Sequence, residues 1–268
     1  MHLLISDINM PVMDGFELFK LIDEENYNIP KVLITDADID EYINLAVDHN
    51  IGNILSKPIE MRELITICYK LITGEKIFGL DNYMITERIF GSTISNSREI
   101  QVVINTIIRF AQDNKLQQSK SNFLSIILDE VLSNAVYHAH GFTREKELKQ
   151  EITLKNNDKV EVCYAANKTH LGISVTDFKG TLTKQTILKS FRAVIEEKKL
   201  IAQATQSGED ISSVIAEKGR GLQMIRLMAN EYYFNIKLNR ITQVVILVEL
   251  ADDNSKKVNS SIKIQEIY

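Results

Sequence analysis

The sequence predicts two α/β modules in succession, the first with a parallel sheet and the second a two-layer sandwich of helices on a mixed or antiparallel sheet. Three observations lead there. Short apolar runs alternate with helical periodicity through residues 1–75, whereas strand patterns cluster as neighbours further on. All three prolines, Pro11, Pro30 and Pro58, fall in the first sixty residues. A chain of 268 residues, with 44% hydrophobic and 25% charged side chains, is long enough for two cores.

In the first module, strands are expected at residues 3–6, 31–35 and 53–56, and helices at 15–23, 38–49 and 61–71, the last stopping at Thr73 and Gly74. The boundary falls at about residues 76–83. A strand at 86–94 and helices at 98–113 and 121–140 open the second module. Strand patterns at 151–155, 159–165 and 172–177 alternate, which predicts antiparallel pairing with one covered face. Helices at 183–199 and 221–230 and strands at 232–238 and 243–250 complete it. The tail, 251–268, is polar and mobile at first, but its Ile262, Ile264 and Ile267 have the spacing to dock.

A formal net charge of −5 gives no electrostatic reason to expect a nucleic-acid or anionic-membrane partner. Cys68 and Cys163 lie far apart and suggest neither a disulfide framework nor a zinc site, which fits a reducing cytoplasm. No apolar run approaches the roughly 18 residues that span a bilayer, and the N-terminus lacks a signal-peptide layout.

At the end of the first strand stands Asp7, followed by Met10, Pro11, Met13, Asp14 and Gly15; Thr35 ends the second strand, and Lys57, before Pro58, the third. Carboxylate, hydroxyl and ammonium thus project from one sheet edge, where open α/β sheets place their sites. Alone, Asp7 reads as a solvated loop residue. Together the three resemble a two-component response-regulator receiver across residues 1–75, an incomplete flavodoxin-like fragment. The resemblance makes Asp7 the phosphoacceptor, served by an upstream phosphodonor kinase, with Thr35 and Lys57 as the switch pair. In that family an acidic Mg²⁺-holding pair follows the first strand, and this chain begins at what corresponds to the third. Ile54 also stands where an aromatic is usual, three residues before the lysine. Either Met1 is an internal start or the module is a degenerate remnant, and the open sheet edge makes a homodimer one remedy.

In the second module, Glu130 and Asn134 are four residues apart on one helix face, a common surface arrangement by itself. Later a strand ends in Val175, Thr176 and Asp177 with Gly180 beyond, and Gly219-Arg220-Gly221 precedes a helix. Glycines before a helix let backbone N–H groups approach phosphate. The ordered set resembles the N, G1 and G2 boxes of the GHKL ATPase/kinase superfamily across residues 84–250. That resemblance implies Asn134 as the Mg²⁺ ligand, Asp177 as acceptor for the adenine amino group, Gly180, Gly219, Arg220 and Gly221 around the nucleotide, Thr242 facing it, and residues 199–218 as a lid. Lys179 and Thr181 stand where glycine is usual in the first box.

None of the five histidines lies in a helical dimerisation segment like that of histidine kinases. His138, four residues after Asn134, and the strand–helix–helix opening are similar to anti-sigma-factor serine kinases, although His138 could equally just cap or pack the helix end. In that subfamily Glu130 would be the general base. The expected function is a Mg-ATP-dependent serine/threonine kinase module under receiver control, acting on an anti-sigma-factor antagonist. The alternatives are an ATP-gated module that grips a sigma factor or another partner without phosphotransfer, and a histidine-kinase-like catalytic fragment.

Overall fold

The computed structural model describes residues 3–27, 29–74, 77–155, 157–207, 222, 225–226, 229–251 and 261–267. Its strands are β1 (Leu4–Asp7), β2 (Lys31–Thr35), β3 (Asn53–Ser56), β4 (Phe90–Ile94), β5 (Val160–Ala166), β6 (His170–Asp177), β7 (Glu231–Lys237), β8 (Ile241–Glu249) and β9 (Ile262–Ile267). The helices are α1 (Gly15–Glu24), α2 (Ile43–Asp48), α3 (Met61–Thr73), α4 (Glu99–Asp113), α5 (Gln118–Ser133), α6 (Thr143–Glu147) and α7 (Lys184–Ser207).

All nine strands join one mixed sheet in the order β1-β2-β3-β9-β7-β8-β6-β5-β4. The first three pair in parallel, and β2 and β3 bury Val32, Leu33, Ile54 and Leu55 as a parallel sheet covered on both faces requires. From β7 through β4 the pairing is antiparallel. The expected tail is the strand between them. β9 runs antiparallel to β3 and parallel to β7, and Ile262 and Ile264 enter the core. A buried ion pair fixes it against α3, Lys263 Nζ to Glu63 Oε1 at 2.5 Å.

One face of the sheet is packed by α1, α2, α4, α5 and α7 through Phe16, Phe19, Ile43, Ile107, Leu128 and Phe191. The expectation of a single covered face for the antiparallel strands is corrected: β6 is buried at seven of its eight positions. On the opposite face α3 and the segment around Leu80, Tyr83 and Met84 pack against Ala165, Tyr233, Val245 and Leu247. The segment read as a connection is therefore a cover. Residues 151–155 form no strand but only a bridge from Thr153 to Asn96. β1 pairs only with β2 among the described strands, the open edge that the sequence predicts, and the outer face of α3 exposes Met61, Ile65, Tyr69 and Ile72.

Local sequence accounts for the element ends near the sites. Asp14 caps α1 by accepting from Glu17 N at 2.8 Å, and the Glu17 side chain reaches back, a reciprocal capping box. A Cβ at Gly15 would lie 2.5 Å from Asp7 O, so only glycine lets α1 start this close to β1.

Candidate functional site

The first cluster stands where β1, β2 and β3 end. The Asp7 carboxylate forms an ion pair with the Lys57 ammonium and accepts from Asn9 N at 3.1 Å. The hydrogen bond from Lys57 is the main cause that holds the Asp7 carboxyl below its usual range, while burial opposes it. Thr35 is fully buried, its carbonyl accepting from Lys57 N at 2.7 Å and its hydroxyl from Ala37 N at 3.1 Å. The structure thus brings Asp7 and Lys57 together and turns the Thr35 hydroxyl toward the following loop. That loop is tightly wound: Asp38 accepts from Asp40 N at 3.0 Å and starts a 3₁₀ turn at Ile39–Tyr42.

The second cluster lies on α5 and the turn that follows it. α5 ends at Ser133 and passes into a π-helical turn, Asn134–His138, with Ala139 N bonded to Asn134 O at 3.0 Å. Such turns are rare and recur at functional sites. Asn134 Nδ2 donates to Glu130 Oε1 at 2.9 Å, which confirms the shared face. Lys146, on α6, donates to Asn134 Oδ1 at 2.9 Å and reaches Glu130 Oε2 at 3.5 Å. Sequence reasoning missed it, because a lysine in a charged segment twelve residues downstream carries no signal of folding back. His138 does not point into this trio: its Nδ1 lies 2.9 Å from Thr143 Oγ1, at the junction with α6.

Third is the end of β6, which the π-helical turn contacts. Asp177 is buried, and its Oδ1 accepts from Lys179 N and Gly180 N, both at 3.0 Å. Burial pushes its carboxyl above the usual range; the two loop N–H groups, His140 and the Thr242 hydroxyl oppose that shift. Thr242 stands directly opposite Asp177 in the β6–β8 register. Gly180 has φ +60°, and a Cβ there would lie 2.5 Å from Arg240 N and Lys237 O. Its glycine is required by contact with the β7–β8 hairpin, whatever else the loop touches.

Gly219, Arg220 and Gly221 lie outside the described residues, as do residues 208–218 of the expected lid; 199–207 continue α7. Among the described residues no group of three or more His, Cys, Asp or Glu could hold a metal ion. Among the described residues a metal held by protein ligands alone therefore does not fit. Mg²⁺ carried mainly by phosphate oxygens, with Asn134 as one ligand, fits only if Lys146 moves off the amide oxygen. No described helix is long and apolar enough to cross a membrane.

Residues 1–69 match the family described as response regulator receiver domain. Over 73 residues, 26% of this chain, the sequence is 40% identical to the transcriptional regulatory protein CssR of Bacillus subtilis, covering 32% of it. It is 35% identical over 71 residues, again 26% of this chain, to the DNA-binding transcriptional regulator NtrC of Proteus hauseri, and 32% identical over 75 residues, 28% of this chain, to the two-component response regulator ARR10 of Arabidopsis thaliana. The match spans 15% and 13% of those two proteins, so the chain covers less than a third of each of these three relatives. With Asp7, Thr35 and Lys57 at the ends of three parallel strands, residues 1–69 carry a response regulator receiver domain, which supports a signalling role.

Proposed function

We propose that the second module binds Mg-ATP and acts as a protein serine/threonine kinase of the anti-sigma-factor type, joined to the receiver domain. The observation that carries the reading is Asp177. A carboxylate buried at a strand end, with two loop N–H groups on Oδ1 and the Thr242 hydroxyl against it, still keeps acceptor capacity for an amino group such as that of adenine. Burying a charge without purpose is costly, which is why such carboxylates concentrate at binding sites.

Bound ATP would supply the transferable phosphoryl group, its Mg²⁺ offsetting charge on the phosphates. Within the protein, Asn134 would turn its amide oxygen to the metal. Lys146, 2.9 Å from that oxygen, would move onto a phosphate oxygen. Glu130, freed from the same ammonium, would take the proton of the substrate hydroxyl. The substrate class is an anti-sigma-factor antagonist, and the upstream partner a phosphodonor for Asp7. A purely ATP-gated binding module needs Asn134 and Asp177 but has no use for a base.

Glu130→Gln keeps the shape and the hydrogen bond from Asn134 while removing the basic carboxylate. With radiolabelled ATP and the antagonist, the expected result is unchanged nucleotide affinity and loss of acid-stable label by about 100-fold or more. Full transfer by the variant removes Glu130 as the base. Nucleotide binding without transfer by the parent chain leaves the binding-module reading, and acid-labile label points to histidine chemistry.

A further inference from the structure

The two clusters lie at opposite ends of the sheet. β1 and β6 run in opposite directions when the pairings are followed across the sheet, so Asp7 and Asp177, each at a C-terminal strand end, face opposite edges. They are also six strand spacings apart, roughly 29 Å. Nothing at Asp7 can touch what Asp177 holds. Two described features nevertheless lie along that distance. α7 begins seven residues after Asp177, and its Ile195, Lys198 and Lys199 reach the turn bearing Asp38, Asp40 and Glu41. Arg226 lies shortly before β7, whose first residue is at the Asp7 edge of the sheet.

Arg226 is 2% exposed, and its Nη1 lies 2.5 Å from Asp40 Oδ1. Its guanidinium also sits 5.7 Å from the Phe191 ring of α7. Asp40 in turn belongs to the 3₁₀ turn that begins four residues after Thr35, and Ala37 N and Asp40 N, held by Thr35 Oγ1 and Asp38 Oδ1, make 35–40 one hydrogen-bonded unit. On its outer side the turn borders an open cleft of about 240 Å³, while Ile39 anchors it in the core. Any reorientation of the Thr35 hydroxyl would break its bond with Ala37 N and release the start of the turn. Because Arg226 is buried, that movement cannot be compensated by water around the guanidinium.

We propose that the ion pair between half-buried Asp40 and buried Arg226 is the coupling element between the receiver and the second module, so that the arrangement of the Thr35 turn sets the grip on nucleotide and nucleotide sets the arrangement of the turn. The inference rests on the Mg-ATP reading of the second module. Asp40 and Arg226 are positioning residues that touch neither Asp7 nor Asp177. Coupling between two binding events is reciprocal, so either end can be read out.

The test uses the full chain. Mg-ATP is titrated calorimetrically into the parent, Asp40→Asn, Thr35→Ala and the double variant, with Asp40→Glu as the conservative control. Amide exchange over residues 35–41 is measured with and without Mg-ATP. Expected are a change in affinity of about fivefold or more for Asp40→Asn, recovery toward the parent for Asp40→Glu, and no further effect of Thr35→Ala once Asp40 is Asn. Nucleotide should alter exchange at 35–41 in the parent and not in Asp40→Asn. Should Asp40→Asn fold poorly, the parent's exchange response and the Thr35→Ala affinity decide. A parent that binds Mg-ATP with no exchange response at 35–41, or with additive Asp40 and Thr35 effects, overturns the coupling alone. A parent that binds no Mg-ATP overturns the nucleotide reading, and the coupling with it.

Discussion

At the residue scale, what can be read from sequence is chemistry that ends a strand. Asp7, Thr35, Lys57 and Asp177 each follow a short apolar run, and the structure puts each at a sheet edge, where a polar side chain can leave the core. What cannot be read is chemistry that folds back. Lys146 meets Asn134 because α6 doubles against the π-helical turn. Lys70 is as hidden. In a helical pattern it looks like a solvated charge, yet it is 3% exposed with its ammonium 3.1 Å from the centre of the Tyr83 ring. Burial lowers its pKa to about 7, with Asp81 opposing, whereas an unfolded lysine titrates near about 10.4. Between those values the unfolded chain holds a proton that the folded chain lacks, so stability rises with pH from about 7 to about 10 and is flat below. The contribution approaches ~1.4 kcal/mol per pH unit at mid-range. In urea titrations across that range, the parent should gain on Lys70→Met as pH rises. A pH-independent difference would show that Lys70 keeps its proton.

At the scale of elements, most strands and helices were legible because their periodicity is long and unbroken, as in α4 and α5. β9 is the instructive case. Ile262, Ile264 and Ile267 in a polar tail signal docking, so docking was legible, whereas the strand and its burial on both faces were not. Lys263 is buried because Glu63, itself an unremarkable helical residue in sequence, supplies its counter-charge from α3 across the sheet. The ammonium also lies 4.8 Å from the Tyr233 ring. A buried pair adds little net stability but makes a one-residue slip of β9 prohibitive. Lys263→Met alone leaves the Glu63 carboxylate buried without its ammonium and should cost about 3 kcal/mol or more. Adding Glu63→Leu should recover most of that loss. Denaturant unfolding of both variants measures it, and a single variant as stable as the parent would mean that β9 is held by its backbone and isoleucines alone.

At the scale of the molecule, the expected division at residues 76–83 describes the order of the chain but not its sheet. β9 closes the gap between β3 and β7, and residues 77–84 cover a face shared by both modules. No local pattern encodes that union, since it depends on partners about 200 residues apart in sequence, such as Asn53 and Lys263. A receiver domain built into the same sheet as a second site is suited to pass on its state, provided that the second site holds a ligand.

The central claim is that Asp177 belongs to a nucleotide site and not to the scaffold. Its carboxyl is raised mainly by burial, so the ionised form lowers stability at neutral pH. An asparagine keeps an oxygen for Lys179 N and Gly180 N without the buried charge. The decisive measurement is therefore calorimetric titration of Mg-ATP into the full chain and into Asp177→Asn, with the melting temperature of each recorded alongside. A nucleotide site predicts binding by the parent, at least about 10-fold weaker binding by the variant, and a variant as stable as the parent or more so. Equal affinity, or loss of affinity only together with loss of the fold, would contradict it.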